Sequence, residues 1–348
     1  MVRIGVIGLG YWGPNYARVL RELSGANLVW ACDARPQALH LMRARYPDVI
    51  LTSSPEEVLA DSTVDAVVIA TPSSTHAELT LAALEAGKHV LCEKPLAFTT
   101  AECDRVIEAA EEADRVLMVG HTFIFNPAVR RMRELIDAGA IGPIRYCHSA
   151  RTGLGPIRQD VNALWDLAPH DISIILYLLD REPVEVAAFG ESYLREETED
   201  VVFVTLRLEG HVLANIHLSW IDPYKTRRLT VIGESKMLVF DDVVADEKLR
   251  LYDRGASYET SAIEARGAEY GEYKAIVRDG DILIPRIPAT EPLKEQTQHF
   301  LACCESGAVP ETDGLSGRRV VAVLEAASAS LRDGGAVVET AWRESSRT

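Results

Sequence analysis

The stretch VRIGVIGLGYWGPNY, residues 2–16, decides the fold prediction. It contains an apolar run, then Gly8, Gly10 and Gly13 at the spacing G-x-G-x-x-G, and then the start of a helical pattern. A strand, a glycine turn and a helix in this order are typical of the unit that binds the pyrophosphate of a dinucleotide. The first glycine allows the tight turn, the second lets the backbone approach the pyrophosphate, and the third lets helix and strand pack closely. We therefore expect an anion at the helix N-terminus, where free N–H groups and the helix dipole stabilise negative charge.

The first 120 residues alternate between strand-like and helix-like segments. Near-continuous apolar strands that alternate with helices indicate a parallel sheet covered on both faces. The predicted strands are Val2–Ile7, Asn27–Cys32, Ala66–Ala70, His89–Cys92 and Arg115–Val119, and the predicted helices are Asn15–Leu23, Pro36–Tyr46, Ser54–Ala60, Ala77–Ala86 and Thr100–Ala113. The sequence therefore predicts a doubly wound α/β domain of the Rossmann type over residues 1–121.

After Gly120 the pattern changes to consecutive strands joined by short turns such as Glu209-Gly210, which is typical of an antiparallel sheet. The predicted strands are Ile144–Arg151, Glu185–Leu194, Val201–Leu208, His211–Trp220, Arg227–Ile232, Lys236–Phe240 and Leu249–Tyr252, and the predicted helices are Pro127–Asp137, Asp166–Leu179, Leu293–Glu305 and Gly317–Leu331. Residues 255–290 lack clear periodicity and predict a long loop or arm. We expect residues 122–348 to form an α+β domain with a large, mostly antiparallel open sheet. The C-terminal helices could instead pack back on the first domain.

The composition excludes several classes of function. The chain has 348 residues, enough for two domains, and a net charge of −16, which argues against binding to nucleic acid or to an anionic membrane. No apolar stretch reaches the roughly 18–20 residues of a membrane helix. The N-terminus runs directly into a strand without a signal-peptide pattern, so we expect a cytoplasmic protein. The six cysteines form no C-x-x-C pair and are expected to be free thiols. We expect no metal site, because the candidate histidines do not cluster in a ligand pattern: His121, His148, His211 and His217.

Asp33 indicates which cofactor the glycine loop would bind. It ends the second predicted strand, twenty residues after Gly13, where an acid binds the ribose 2′-hydroxyl of NAD and repels the 2′-phosphate of NADP. Arg35 could partly reverse that preference, so NAD is expected ahead of NADP. Asp33 could also be an ordinary turn residue at a strand end. The pair Tyr11-Trp12 would cover the pyrophosphate or lie along the nicotinamide, unless it only packs against the second domain.

Further polar residues follow the next predicted strands. In a doubly wound sheet the ligand crevice lies beyond the carboxyl ends of the strands, so residues directly after a strand are candidates for cofactor contacts. They are Thr71, Ser74, His76, Glu93 and Lys94. His76 could instead cap the helix that follows it. Glu93 could bind the nicotinamide ribose or pair with a neighbouring cation.

Six stretches carry a family resemblance that covers nearly the whole chain: GVIGLGYWG, TPSSTHAEL, AGKHVLCEKPLA, GHTFIFNPAVRRM, WDLAPHDISIILYLL and EPLKEQTQHFLACCESG. With them the chain resembles the Gfo/Idh/MocA family of nicotinamide-dependent sugar and cyclitol oxidoreductases. The stretches GYWGPN and HTFIFNPAVR most resemble the branch that oxidises the 3-hydroxyl of nucleotide-linked N-acetylated sugar uronates. The resemblance implies that Lys94, Asp166 and His170 form the catalytic set, and that the protein is a homo-oligomer.

The chemistry of alcohol oxidation supports the same three residues. A secondary alcohol needs a hydride acceptor and a base for the hydroxyl proton, and histidine exchanges protons near neutral pH. Lys94 can hydrogen-bond the reacting oxygen and stabilise the developing alkoxide. Asp166 precedes His170 by four residues, so on one helix its carboxylate could orient the imidazole. The alternatives are that Asp166 is only the helix N-cap, His170 a structural histidine and Lys94 a surface lysine.

The candidates for substrate contacts are Asn126, Arg151, Asn162 and Trp165. Arg151 is the strongest, because its guanidinium can bind both oxygens of a carboxylate or phosphate, although it could equally form an interdomain ion pair. We expect oxidation of a sugar or amino-sugar hydroxyl, at C3, by NAD. The alternatives are a cyclitol dehydrogenase, an NADPH-dependent 3-ketosugar reductase and a catalytically silent dinucleotide sensor.

The strand pair Val201–Leu208 and His211–Trp220 carries apolar residues on both faces. An exposed apolar sheet face usually packs against something. We therefore expect a homodimer or homotetramer through this sheet, unless residues 255–290 cover it.

Overall fold

A computed structural model describes residues 1–258 and 275–341. The first domain is a six-stranded parallel sheet in the order β3-β2-β1-β4-β5-β6. Its strands are β1 (Val2–Ile7), β2 (Ala26–Cys32), β3 (Ile50–Thr52), β4 (Ala66–Ile69), β5 (His89–Glu93) and β6 (Leu117–Gly120), and its helices are α1 (Gly13–Glu22), α2 (Pro36–Arg45), α3 (Pro55–Ala60), α4 (His76–Glu85) and α5 (Thr100–Glu112). The predicted doubly wound sheet is confirmed. The strand order reverses between β1 and β4, which places the ligand crevice at their carboxyl ends. The sequence did not predict β3, because three residues are too few to show a period.

The second domain is built on a nine-stranded sheet in the order β16-β13-β12-β11-β7-β10-β9-β8-β17. Its strands are β7 (Ile144–Thr152), β8 (Pro183–Glu191), β9 (Val201–Leu208), β10 (Val212–Ser219), β11 (Thr226–Gly233), β12 (Met237–Asp241), β13 (Leu249–Tyr252), β16 (Ile282–Leu283) and β17 (Val338–Glu339). Neighbours in the sheet run antiparallel except β7 and β10, which run parallel. The predicted mostly antiparallel sheet is therefore confirmed. Helices α6 (Pro127–Asp137) and α7 (Ala163–Leu179) pack on one face of it.

Residues 255–290 differ from the predicted long loop. The structure places β14 (Gly255–Tyr258) and β15 (Ala275–Arg278) as an antiparallel pair, and β16 pairs with β13 at the sheet edge. The loop prediction is wrong for these strands, since strands of two to four residues are too short to produce an alternating pattern. Residues 259–274 of the predicted arm lie outside the described residues.

Two helices near the end of the chain complete the first domain. Helix α8 (Pro292–Ser306) contributes Phe300 and Leu301 to the hydrophobic core that contains Tyr16 and Leu20 of α1. Helix α9 (Gly314–Arg332) approaches β6 so closely that a Cβ on Gly317 would lie 2.7 Å from Val119 Cγ2. The backbone N–H of Val119 donates at 2.7 Å to the carbonyl oxygen of Thr312, which lies just before α9. The last helices therefore pack on the dinucleotide-binding sheet as well as on the second domain.

Within the described residues, none of the helices combines the length and the apolar character needed to span a bilayer. In the same residues no group of three or more histidine, cysteine or acidic side chains is arranged to hold a metal ion. The six cysteines are thiols without a disulfide partner, and five of them are buried.

Candidate active site

The glycine loop after β1 has the shape that a pyrophosphate requires. Gly8 has φ of +95°, and a Cβ there would lie 2.6 Å from the carbonyl oxygen of Ala70. A Cβ on Gly13 would lie 2.0 Å from the carbonyl oxygen of Gly8, so both positions require glycine. At Gly10 no atom lies within 4 Å of an added Cβ, which leaves the backbone there open to a ligand. The loop is therefore tight toward the protein and open toward the crevice, and it fits the pyrophosphate of NAD at the start of α1.

The residues of the pair Tyr11-Trp12 differ in their surroundings. Tyr11 is 81% exposed, whereas Trp12 is half-buried and packs against the core of the first domain. Their rings meet edge to face with centroids 5.3 Å apart. Tyr11 thus remains a candidate to cover a bound ligand, and Trp12 already has a packing role.

Beyond the loop lies a cavity of about 460 Å³ on the adenosine side, between the glycine turn and α2. Leu9, Pro14, Arg35, Ala38, Leu41 and Met42 are among the residues that line it. Asp33 directly follows β2 and hydrogen-bonds to Leu9 and Arg35 of the cavity lining. One carboxylate oxygen accepts from the backbone N–H of Leu9 at 2.7 Å, and Arg35 donates to both oxygens through its backbone and guanidinium groups. Burial opposes ionisation of Asp33, but these hydrogen bonds outweigh it and hold its pKa below the ordinary value.

Replacing Asp33 with alanine is expected to reduce the preference for NADH over NADPH about tenfold, which corresponds to about 1.4 kcal/mol. The carboxylate would repel a 2′-phosphate, whereas Arg35, freed from its partner and largely exposed, would attract one. Fluorescence titrations with both reduced cofactors measure the ratio of the two Kd values. The double variant Asp33→Ala/Arg35→Leu is the control and should gain no affinity for NADPH. An unchanged preference in Asp33→Ala would show that another residue reads the ribose.

The loops after β4 and β5 are fixed to each other by His76. One ring nitrogen lies 2.7 Å from the carbonyl oxygen of Pro95 and the other lies 3.0 Å from that of Thr71. The side chain is 1% exposed and caps no helix, because α4 begins without a side-chain cap. The alternative of His76 as a helix cap is therefore wrong. The His76 side chain instead holds the two loops together. In the loop after β4, Thr71 is half-buried and Ser74 is exposed.

Lys94 joins the first domain to α7 of the second. Its ammonium donates to the backbone carbonyl of Asp166 at 2.7 Å and lies 3.9 Å from that residue's Oδ1. The lysine is buried, so its interpretation as a surface residue is wrong. Burial lowers the pKa of Lys94, and the charges of Asp166 and Glu93 partly oppose this effect. Because Asp166 precedes His170 by about one helical turn, its hydrogen bond with Lys94 lies one turn before His170 on α7.

The carboxylate of Asp166 contacts Trp220, Arg158 and Lys94. Its Oδ2 accepts from the indole N–H of Trp220 at 3.1 Å, and its Oδ1 lies 3.4 Å from Nη1 of Arg158. Within the described residues no hydrogen bond joins the Asp166 carboxylate to the imidazole of His170, so the predicted orientation of the imidazole by Asp166 is not observed. Asp166 is also not the helix N-cap, because Asn162 accepts from the backbone N–H of Trp165 at 3.1 Å. The aspartate instead contacts Lys94.

Several cationic side chains lie near His170. Its ring packs against Phe123 with centroids 5.1 Å apart, and its Nδ1 is buried without a hydrogen-bond partner in the described part of the chain. Burial lowers the pKa of His170 well below its ordinary value, and the nearby cations, Lys94 first and then Arg151, lower it further. The imidazole is therefore neutral near neutral pH and has a lone pair available for a proton.

Arg151, one of the four predicted substrate contacts, shares a packing partner with His170. Its guanidinium stands 4.6 Å from the centre of the Phe123 ring, against which His170 also packs. It donates to Asp171 at 2.5 Å, which makes an ion pair within the second domain; the alternative of an interdomain pair is wrong. Arg227 lies directly opposite Arg151 on the neighbouring strand, so two cations share this face of the sheet.

The other three predicted substrate contacts are engaged with the protein itself. Asn126 caps α6 through the backbone N–H of Ala128 at 2.9 Å. Asn162, besides capping α7, donates to Glu199 at 2.6 Å. Trp165 donates to Ser328 at 2.9 Å. These contacts leave the three residues with structural roles, and their contact with substrate stays a prediction.

Several residues of the site were not predicted from the sequence. Arg158 and Trp220, which hold Asp166, come from an irregular segment and from the end of β10, and neither follows a recognisable motif. His121 is buried beside Lys94 and His170, and both its ring nitrogens lack partners among the described residues. It follows β6 just as Lys94 follows β5, and that position after a strand was the signal that could have identified it.

Comparison with known proteins agrees with this geometry. Residues 2–121 match the family described as an oxidoreductase family with an NAD-binding Rossmann fold, and residues 129–239 match the GFO/IDH/MocA C-terminal domain. The chain is 30% identical to myo-inositol 2-dehydrogenase of Thermotoga maritima over 343 residues, which covers 95% of this chain and 97% of the relative.

Two solved structures are similar along the whole chain. The UDP-N-acetylglucosamine 3-dehydrogenase GnnA of Acidithiobacillus ferrooxidans superimposes with a TM-score of 0.81 at 27% identity, covering 95% of this chain and 98% of that one. GenD2 from gentamicin A biosynthesis, solved in complex with NAD, superimposes with a TM-score of 0.80 at 25% identity, covering 97% and 96%. A Rossmann sheet with an NAD-shaped glycine loop, a buried lysine that hydrogen-bonds to α7 of the second domain, and these matches along both domains show that the chain is an NAD-binding oxidoreductase of the Gfo/Idh/MocA family.

Proposed function

We propose that this protein oxidises a secondary hydroxyl of a sugar or amino-sugar derivative to a ketone, at C3, with NAD as the cofactor. The observation that carries the proposal is the contact of Lys94 with the backbone of Asp166, one helical turn before His170. It supports a site in which a cation that follows β5 of the first domain and a neutral imidazole of α7 in the second domain act on the same hydroxyl. An alcohol oxidation needs these two groups next to the nicotinamide.

When bound, NAD supplies the acceptor for the hydride that leaves the carbinol carbon. The neutral imidazole of His170 accepts the hydroxyl proton. The ammonium of Lys94 donates a hydrogen bond to the same oxygen and stabilises its negative charge. Burial, and then the charges of Lys94 and Arg151, lower the pKa of His170, so the imidazole readily releases the proton that it accepts. Burial of Lys94 strengthens its interaction with the developing charge, because the effective dielectric constant is lower than in water.

Two substrate classes have support from relatives. GnnA is named as a UDP-N-acetylglucosamine 3-dehydrogenase, which favours a nucleotide-linked amino sugar and the 3-hydroxyl. Arg151 favours the same class, because a guanidinium beside the site can bind a carboxylate or phosphate of the substrate. The second candidate is a cyclitol, since the relative from Thermotoga maritima is named as a myo-inositol 2-dehydrogenase.

A spectrophotometric assay tests the proposal. Wild-type protein with NAD is mixed with UDP-N-acetylglucosamine or with myo-inositol, and NADH is followed at 340 nm. We expect turnover with the amino sugar, and its loss in His170→Asn, which keeps a polar side chain without a titrating base. Turnover of myo-inositol alone would establish the cyclitol candidate. Tight NADH binding without turnover across a broad panel of sugars and cyclitols would indicate a silent dinucleotide sensor, and activity only with NADPH and a 3-ketosugar would indicate a reductase.

The outer face of the nine-stranded sheet supports a homo-oligomer. Phe189, Phe203 and His217 form a continuous row across β8, β9 and β10, and the rings of Phe203 and His217 stack at 4.4 Å. Phe189 is 60% exposed and Phe203 is 47% exposed, so the described part of residues 255–290 does not bury these two side chains. A second copy would bury this row. We expect sedimentation velocity to show a dimer or tetramer that Phe203→Arg dissociates; a wild-type monomer would overturn this.

A further inference from the structure

A buried hydrogen-bond chain connects the end of the polypeptide to the cofactor crevice. The phenol of Tyr16 donates to Oε1 of Glu93 at 2.6 Å, and the side-chain amide of Gln296 donates to the phenol oxygen at 2.8 Å. Tyr16 and Gln296 are both fully buried, and Glu93 is 6% exposed. The chain joins α8, α1 and the last residue of β5, three elements that are distant in sequence.

The direction of these bonds fixes the position of one proton. The amide N–H of Gln296 donates, so the oxygen of Tyr16 accepts there, and its own hydroxyl proton is directed to Glu93. Oε1 of Glu93 is thus occupied by the phenol. Within the described residues, Oε2 has only a long contact of 3.3 Å with the backbone N–H of Lys94. The second carboxylate oxygen is therefore the one that can accept a hydrogen bond from a ligand.

Gln296 is a poor choice for stability alone. Its Oε1 is buried and has no hydrogen-bond partner in the described part of the protein, whereas an apolar side chain at this position would leave no such atom. A buried polar group that leaves an acceptor unpaired is typical of a functional constraint. What the amide contributes here is its hydrogen bond to Tyr16.

We infer that Gln296 and Tyr16 are positioning residues for NAD: they hold the carboxylate of Glu93 so that it accepts a hydrogen bond from a hydroxyl of the nicotinamide-side ribose. The inference rests on NAD binding by the crevice and is independent of the substrate. It assigns to α8, near the end of the chain, a role in binding the cofactor at the opposite end of the sequence.

The charge on Glu93 gives the inference a pH dependence. Burial raises the pKa of Glu93, while the hydrogen bond from Tyr16 and the charges of Lys94 and His76 lower it. These are the titratable groups that face it from α1, from its own loop and from α4. Removal of the Tyr16 hydrogen bond would raise the pKa further, so the carboxylate would lose its charge at a higher pH.

NADH and AMP binding provide the test, because AMP lacks the nicotinamide-side ribose. Gln296→Met and Tyr16→Phe are each expected to raise the Kd of NADH about tenfold at neutral pH and to leave the Kd of AMP unchanged. The Kd of NADH for the double variant should not exceed that of the single variant that binds NADH more weakly, since both substitutions act through Glu93. The pH at which half of the NADH affinity is lost should be higher in both variants than in wild type.

The matched control is Thr297→Val on the same helix. Thr297 is also fully buried, but its hydroxyl donates within α8 to the carbonyl of Leu293, so this variant should bind NADH normally. Thermal unfolding monitors the fold, and Gln296→Met should unfold at the wild-type temperature or above it. Equal weakening of NADH and AMP, or an unshifted pH profile, would overturn the inference. Failure of wild type to bind NADH would instead contradict the cofactor assignment.

Discussion

Replacing Lys94 with alanine is expected to lower kcat about 10²- to 10⁴-fold while the Kd of NADH changes less than about threefold. The ammonium is buried between Asp166 and Glu93, at the edge of the sheet where the reacting oxygen would lie. Its hydrogen bond strengthens as the alkoxide gains charge, so its loss acts on the transition state more than on binding. Steady-state kinetics with the substrate found by the spectrophotometric assay, together with NADH titration, give both quantities.

Lys88 offers a matched control for this prediction. It is also buried, but it lies before β5, where its ammonium donates to the carbonyl oxygens of Asp61 and Val64, both at 2.8 Å. Lys88→Ala should therefore lower the temperature of unfolding and leave the kcat of the folded protein unchanged. Near-normal turnover of Lys94→Ala would remove Lys94 from the mechanism. Parallel losses of turnover and NADH affinity in Lys94→Ala would make the lysine a structural residue.

Acid is expected to destabilise the protein strongly through His121. Burial, with a smaller contribution from the charge of Lys94, lowers the pKa of His121 to about 3. The unfolded chain binds a proton at this histidine below about pH 6.5, whereas the folded chain does not, so stability falls as the pH falls through this window. The loss attributable to His121 is on the order of 4–5 kcal/mol once the pH reaches its folded pKa. His170, whose pKa is also lowered, and buried His76 add to it in the same direction.

Urea unfolding of wild type and His121→Leu between pH 7 and pH 4 measures this effect. The leucine variant should lose less stability over this range, and at neutral pH it should be at least as stable, because two unpaired buried nitrogens disappear. His121→Gln is the second variant, since it keeps a polar side chain that does not titrate, and it should show the same weaker dependence on pH. The carboxylates titrate alike in all three proteins, so the differences between the curves report on His121. Parallel curves for the three proteins would contradict the prediction.

The fold was predictable from the sequence where single segments carry a complete signal. The glycine spacing after Ile7 and the alternation of apolar strands with helices indicated the parallel sheet, because each of these patterns is local. The strands β3 and β16 escaped prediction for the opposite reason, since they contain three and two residues and are defined by their neighbours in the sheet.

The candidate site was predictable in its residue types and less so in its contacts. Lys94 and Asp166 were candidates because one directly follows a strand and the other precedes His170 by four residues, but the sequence did not predict that these two side chains meet. The spacing could not reveal that Trp220, from another strand, would bind the carboxylate of Asp166. Tyr16 and Gln296 lie 280 residues apart, and only the folded chain shows that they touch.

The insertion of α8 into the core of the first domain has a consequence for biosynthesis. The ribosome produces residues 2–121 first, yet the hydrophobic core that they form includes Phe300 and Leu301. Until those two side chains emerge, a growing chain exposes an apolar groove beside α1, and the amide that directs Tyr16 is missing. A half-made protein therefore has an incomplete nucleotide site, and we expect chaperones to recognise the nascent chain through this groove. Any split of the gene between the two domains would need to transfer α8 together with the first domain.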